Sequence, residues 1–326
     1  MTSRLRCVVC AYSEVGHACL ATLLEQGVDV ALVATHADAP GEKRWFASVR
    51  ELALRSGIPV IEPDDVNSAE SLARLRAARP DWLFSFYFRQ LLGREALAVA
   101  PRGALNLHGS LLPRYRGRAP VNWALIHGER ETGVTLHYMD EKPDHGDIVG
   151  QRAVEIARDD TAQSLTRKLA AAASALLREL LPALAAGNAP RRAQEHARSS
   201  YFGGRRPQDG EIDWREPAER IRDLVRALTD PWPGAFTHFR GRPLMVWWAE
   251  TGSLPRALPP GSLWLDGDTR PWVACGDGAL LLACVGTPGQ APVSGADWAR
   301  AGALAPGERF DDPPALRAAQ PGAARA

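Results

Sequence analysis

The sequence predicts an α/β protein, a doubly wound, mostly parallel sheet followed by a smaller β-rich domain with a barrel-like (OB-like) shape. Three observations carry this prediction. Over the first 90 residues, short runs that are nearly all apolar alternate with helical patterns, and all-apolar runs belong to parallel strands covered on both faces. A polar, Arg- and Ala-rich stretch from Asn188 to about Pro207 then interrupts the pattern. Beyond it come short strand-like runs separated by Gly and Pro.

Taken in order, residues 5–12 read as the first strand, followed by a turn at Ser13–Gly16 and a helix to about Gln26, which Gly27 ends. Val28–Thr35 reads as a second strand, 44–56 as a helix, Ile58–Ile61 as a short third strand, Ser68–Ala78 as a helix and Trp82–Phe86 as a fourth strand. Residues 161–187 carry a long Ala/Leu helical period. Later strands are expected at Leu244–Ala249, Gly261–Leu265, Trp272–Cys275 and Ala279–Val285. The domain organisation that follows is 1–187, a linker over 188–207, a β-rich domain over 208–310, and a Pro/Ala/Arg-rich tail, 311–326, expected to be disordered.

Bulk properties narrow the function. The chain has 326 residues, 45% hydrophobic and 24% charged, with a formal net charge of +1. No global field therefore draws it to nucleic acid or acidic lipid. The five cysteines are odd in number and scattered, so they form no disulfide framework. Cys7 and Cys10 lie on a strand, where residues three apart face opposite sides, and they read as small buried hydrophobes rather than metal ligands. No run of about 18 apolar residues stands out, and the first residues lack a signal pattern. A cytoplasmic, non-membrane protein is the expectation. The first turn is not GxGxxG and there is no GxxxxGK[ST], so neither a dehydrogenase nor a P-loop enzyme is expected. No cluster with metal-ligand spacing occurs, so no metal is expected.

The densest chemical signal is Gly103-Ala-Leu-Asn106-Leu-His108-Gly-Ser110-Leu-Leu-Pro113. Asn106 and His108 are two apart on an extended segment and share a face. They should lie at the carboxyl edge of the sheet, where ligands of such folds sit. About 35 residues later comes Asp140-Glu-Lys-Pro-Asp144-His-Gly-Asp147-Ile148, whose carboxylate can orient His108 and favour its protonated form. An amide, an imidazole and a carboxylate suit acyl transfer to nitrogen: Asn106 stabilises an oxyanion and His108 moves protons, an effect typically worth 10²–10⁴-fold. On spacing alone a structural role for these residues stays open. The remaining histidines, His17, His36, His127, His137, His145, His196 and His238, read as structural or exposed.

The run Asn106 to Pro113, followed by Asp144-x-Gly146-x-Ile148, resembles the core motif of the folate-dependent formyltransferases, whose members act on methionyl-tRNA, glycinamide ribonucleotide or sugar nucleotides. The resemblance implies a Rossmann-like catalytic domain, 10-formyltetrahydrofolate as formyl donor, and the roles of transition-state stabiliser for Asn106, general acid/base for His108 and partner carboxylate for Asp144. It also implies that the donor lies along Phe86, Tyr87, Gln90, Leu91 and Leu92 and against Asp140, Glu141, Lys142 and Pro143, with Arg118 taking an anion. The side chains of Phe86–Phe88 read equally well as strand-end core.

Within that family the chain is similar to the group acting on UDP-4-amino-4-deoxy-L-arabinose in lipid A modification and polymyxin resistance. The likeness rests on Ala11–Gly16, Thr35–Lys43, Phe84–Arg89, Arg114–Trp123, Asp230–Phe236 and Ala274–Ala279. It implies small-molecule partners, the folate donor and a nucleotide amino sugar, and no nucleic acid. The short second loop offers only Lys43 and Arg44, thin provision for RNA phosphates. Well-known members of that group carry a fused decarboxylase, for which this sequence has no fingerprint, so the acceptor stays open among amino sugar nucleotides. A methionyl-tRNA formyltransferase is the alternative enzyme, and a non-catalytic folate or nucleotide sensor the alternative of another class. The sequence is silent on oligomeric state.

Overall fold

In the computed structural model, residues 5–38, 44–267 and 269–312 are described. The second-loop residues 39–43 and the tail from 313, both singled out in the sequence, lie outside the described residues. The chain forms two compact units. The first comprises the residues to Val121 with Arg130–Ile156 and Ser164–Gly204; the second comprises Asn122–Glu129, Ala157–Gln163 and the residues from Arg205 onward. Thus 188–204, read from composition as linker, is part of the first unit. Its backbone is used: Ile148 and Arg192 exchange N–H···O bonds at 2.8 and 3.0 Å.

The first unit is built on β1 (Arg6–Ala11), α1 (Ser13–Glu25), β2 (Asp29–Ala34), α2 (Val49–Arg55), β3 (Val60–Ile61), α3 (Ala69–Ala77), β4 (Trp82–Phe86), α4 (Arg94–Leu97), β5 (Ala104–His108) and β6 (Arg116–Gly117). After α5 (Pro120–Ile126) come β7 (Glu131–Tyr138), β8 (Ile148–Glu155), α6 (Ala162–Ala186) and β9 (Tyr201–Phe202). The main sheet has seven strands in the order β3-β2-β1-β4-β5-β7-β8. The first five run parallel, and β7 and β8 add antiparallel pairs at one edge. The nearly all-apolar composition of β1 and β4 is accounted for by burial on both faces: every residue of β4 is buried, and Cys7 and Cys10 are inaccessible.

Several boundaries differ from expectation. No separate turn precedes α1; the helix is entered through Ser13 at φ +65°. Gly16 lets it lie against β4, since a Cβ there would stand 3.0 Å from the Phe86 carbonyl oxygen. The helix expected over 44–56 begins only at Val49, where Ser48 Oγ accepts the Glu51 N–H at 3.2 Å and caps it. α6 is 25 residues long and, by length and composition, apolar enough to cross a membrane. Half of its most apolar window is buried. Leu176 and Leu180 press on the sheet at Gly150, where a Cβ would lie 2.8 Å from Leu180, and its Leu184 carbonyl accepts from Trp82 Nε1 at 3.2 Å. It is the core helix of this unit.

The second unit carries α7 (Ala218–Leu228), β10 (Ala235–Phe239), β11 (Arg242–Gly252), β12 (Leu263–Asp266), β13 (Arg270–Ala274), β14 (Ala279–Gly286), β15 (Val293–Ser294) and α8 (Gly295–Ala301). Its strands form a six-stranded antiparallel sheet, β10-β11-β14-β13-β12, with β15 on β14. Beyond the ladder, residues 307–311 lie between its edges: Leu263 N–H donates to the Glu308 carbonyl at 2.7 Å and Asp311 N–H to the His238 carbonyl at 2.9 Å, in keeping with the small β domain expected. The segments 122–129 and 157–163 are tied in through buried polar bonds. Asn122 Nδ2 donates to the Ala227 carbonyl at 2.7 Å, and Arg226, held by Asp223 at 2.7 Å, donates to the Asp160 carbonyl at 3.0 Å.

Candidate active site

The site forms where β5 pairs with β7. The antiparallel register sets Asn106 opposite His137 and His108 opposite Thr135. Residues two apart share a face and cross-strand partners stand side by side, so four polar groups project together from an otherwise apolar pair of strands. His137 therefore belongs to this cluster, contrary to its reading as a bystander. The signal for it was the spacing Thr135-x-His137, which mirrors Asn106-x-His108 once the two strands are known to be neighbours.

Asp144 arrives from the loop between β7 and β8. Its backbone is left-handed, φ +57°, a conformation Asp tolerates better than most residues. Gly146 follows where a Cβ would lie 2.0 Å from the Tyr138 carbonyl oxygen, so the loop folds tightly over the strand end. The carboxylate is turned inward and is only 10% exposed. One oxygen lies 3.3 Å from His108 Nδ1 and 3.6 Å from His137 Nε2; the other accepts the Gly117 N–H at 2.8 Å. Burial pushes the carboxyl up. The charge of His108 opposes this, together with the hydrogen bond from His137 and the Gly117 N–H, and the balance holds it down at about 2. The group is an anion throughout the neutral range.

His108 has its second ring nitrogen 2.7 Å from the Tyr115 carbonyl. Both nitrogens thus face acceptors, and only the doubly protonated ring supplies an N–H to each. His137 Nδ1 lies 2.8 Å from the Tyr138 carbonyl, which fixes its proton there in the neutral ring. Its Nε2 then accepts an N–H from Asn106 Nδ2 at 3.1 Å, which sets the Asn106 amide and leaves its second N–H for another oxygen. Protonated, the same Nε2 turns its N–H to Asp144. Beneath these groups Thr135 Oγ1 donates to the Ser110 carbonyl at 2.6 Å and accepts the Leu112 N–H at 3.1 Å, which pins the turn that follows His108.

The residues expected beside a donor divide by side chain. Phe86 is fully buried and stacks on Phe84 with centroids 5.5 Å apart, and Leu92 joins the core cluster with Val66 and Leu72. Gln90 latches the loop: Oε1 accepts the Val66 N–H at 2.7 Å and Nε2 donates to the Pro63 carbonyl at 2.9 Å. These three side chains are committed to the fold, which leaves the backbone of this loop for any contact with a donor. Tyr87, at φ +58°, turns its ring inward; its hydroxyl is buried without a partner against Gly109, where a Cβ would lie 2.0 Å away. Leu91 alone stands out, 73% exposed. Asp140 accepts the Lys142 N–H at 2.8 Å and lies 3.3 Å from His145, Glu141 meets Arg94 at 2.6 Å, and Lys142 and Pro143 are exposed. The Arg94–Glu141 contact brings the loop after β4 beside the Asp144 loop. Arg118 bonds through its backbone N–H to the Phe202 carbonyl at 2.9 Å, and its side chain lies along Gly204. Among the described residues no group of three or more His, Cys, Asp or Glu has the arrangement of a metal site.

An amide donor, an imidazole between two acceptors and a buried carboxylate form a set suited to direct acyl transfer. Residues 6–181, more than half the chain, match the family described as formyl transferase, and 205–302 match the formyl transferase C-terminal domain. The chain belongs to the formyl transferase family.

Solved structures share the fold. WlaRD, described as a sugar 3N-formyl transferase in the presence of dTDP and 5-N-formyl-THF, is 17% identical over 88% of this chain and 99% of its own, with a TM-score of 0.66. The N-formyltransferase from Helicobacter canadensis, in complex with folinic acid and dTDP-3-aminofucose, is 19% identical over 86% of this chain and 98% of its own, also with a TM-score of 0.66. HypX from Aquifex aeolicus, in complex with tetrahydrofolic acid, is 18% identical over 91% of this chain with a TM-score of 0.62, and this chain spans only 47% of it.

Proposed function

We propose that this chain transfers the formyl group of 10-formyltetrahydrofolate to the amino group of a nucleotide-linked amino sugar, with UDP-4-amino-4-deoxy-L-arabinose as the acceptor its sequence favours. The observation that carries the reading is the meeting of Asn106, His108 and Asp144 on the β5–β7 pair within a formyl transferase chain. The folate-bound and sugar-nucleotide-bound relatives, similar over most of this chain, support the donor and the acceptor class. A formal net charge of +1 supports a small acceptor over a tRNA.

The loops after β4 and β7 suit a flat, amide-rich donor ring. Exposed Leu91 offers an apolar cover, and the backbone of 140–143 offers polar groups beside it. The donor, when bound, supplies a carbonyl carbon open to attack by an amine. The chain's residues do the rest. Asn106 presents its remaining N–H to an oxygen that gains negative charge, where a preorganised donor is worth roughly 10²–10³ in rate. His108 holds a proton to give to the departing nitrogen and takes one from the attacking amine. Asp144, ionised and buried, fixes the ring and stabilises its charged form.

The test is incubation with 10-formyltetrahydrofolate and a panel of acceptors: UDP-4-amino-4-deoxy-L-arabinose, a dTDP-3-amino sugar and charged initiator tRNA. Formamide product on the first is the expected result. Product on the dTDP sugar alone keeps the reaction and replaces the acceptor, and product on the tRNA alone overturns the acceptor class. His108→Ala should lower the rate by about two or more orders of magnitude while the protein stays folded.

A further inference from the structure

We propose that Gln194 is a positioning residue of this active site, acting through Asp144, and that residues 192–202 are active-site scaffold rather than a tether. The proposal rests on the reading of Asp144 given above.

Asp144 can face the two histidines only if its left-handed backbone is held. The carbonyls of Asp144 and Gly146 both point at one group: Gln194 Nε2 lies 3.0 Å from the first and 2.7 Å from the second. A primary amide has two N–H donors, one for each carbonyl. The other end of the same amide, Oε1, accepts from Arg116 Nη2 at 2.6 Å. Arg116 adjoins Gly117, whose N–H binds the Asp144 carboxylate. The contacts therefore close a circuit: carboxylate to Gly117, along the chain to Arg116, across to Gln194, and back to the Asp144 backbone. Gln194 and Arg116 are both buried, so these bonds do not compete with water.

Only a glutamine side chain meets these demands. Lysine and arginine have no acceptor for Arg116, and glutamate would set lone pairs against two carbonyl oxygens. Asparagine is one methylene short. The flanks are anchored independently of Gln194. Arg192 pairs with Ile148, Tyr115 N–H donates to Ser200 Oγ at 2.9 Å, and the N–H groups of Arg116 and Arg118 donate to the Ser200 and Phe202 carbonyls, each at 2.9 Å. Loss of the Gln194 amide should thus loosen the carboxylate without releasing the segment. Arg116 Nη2 also meets His196 Nδ1 at 2.8 Å, which holds the guanidinium in place when Gln194 is changed.

The experiment compares Gln194→Leu and Gln194→Glu with the unaltered protein and with His108→Ala, measuring folded fraction, kcat, KM for donor and acceptor, and the pH dependence of kcat. Misplacing a catalytic group by about 1 Å costs on the order of 10²-fold. The expected result is a fall in kcat of about 10- to 100-fold in both Gln194 variants, with little change in KM and a displaced pH profile. Gln194→Glu keeps the size and the Arg116 bond but turns a carboxylate oxygen toward the two carbonyls in place of the N–H donors, so it carries the test if Gln194→Leu does not fold. A folded variant whose kcat and pH profile match the parent, in an assay where His108→Ala is inactive, overturns the proposal. Activity surviving in His108→Ala would instead sink the reading of the site beneath it.

Discussion

Replacing Asp144 by Asn isolates the charge that organises the site. The carboxyl is held at about 2 against an ordinary value of 3.8, a difference near two pH units. At about 1.4 kcal/mol per unit this corresponds to roughly 2 kcal/mol of native-state stabilisation. The folded value is the depressed one. The contribution is therefore complete above the unfolded value near 4 and disappears as pH falls through about 2. Asn keeps the shape and an oxygen for the Gly117 N–H but not the attraction to His108. Urea unfolding, chosen because it adds no ions, should place the variant about 2 kcal/mol below the parent from pH 5 to 8. The gap should narrow below pH 4 and close toward pH 2. Since burial by itself would raise this carboxyl, a gap that stays constant with pH would show that burial and shape, not charge, govern the residue, and the electrostatic account would fail. In the same variant, formyl transfer should drop by about 10- to 100-fold, the rate equivalent of about 1.4–2.7 kcal/mol of lost support for the charged imidazole.

Further outcomes follow from individual contacts. Gly109→Ala sets a methyl on the Tyr87 hydroxyl and should cost about 1–3 kcal/mol with loss of activity; adding Tyr87→Phe should restore part of both, a coupling a double-mutant cycle reads directly. Tyr87→Phe alone removes a buried hydroxyl that has no partner, so thermal stability should stay level or rise. Gln90→Leu strips three bonds from the loop after β4 and should lower stability by about 1–3 kcal/mol while raising the KM for the folate donor. Asn106→Ala should reduce kcat by roughly 10²–10³ with the fold intact.

The parallel half of the main sheet was readable because β1, β2 and β4 are nearly all apolar and alternate with helical patterns. β7 and β8 were not assigned, since Glu131–Tyr138 mixes Thr, Gly and His with apolar residues and lacks a clean alternation. That omission hid His137, whose importance depends on a cross-strand neighbour 31 residues away. Asn106, His108 and Asp144 were legible from motif spacing, whereas their contacts needed the left-handed turn at Asp144. Gln194 sat in a stretch whose polar composition resembles a linker, and composition does not reveal that one amide there meets two carbonyls. Phe86 and Leu92 were half legible: the loop was found, but which of its side chains turn to the core depends on the turn at Tyr87.

The ladder that sets Asn106 across from His137 also constrains how such a protein can diversify. A single inserted or deleted residue within either strand would rotate the reacting groups to the opposite side of the sheet, abolishing chemistry in one step. The loops that follow the strands carry no such penalty. New acceptors are therefore reached by rewriting loop sequence and length around an unchanging two-strand chassis, and an engineer seeking a different amine should leave 104–108 and 131–138 untouched and vary what lies beyond their ends.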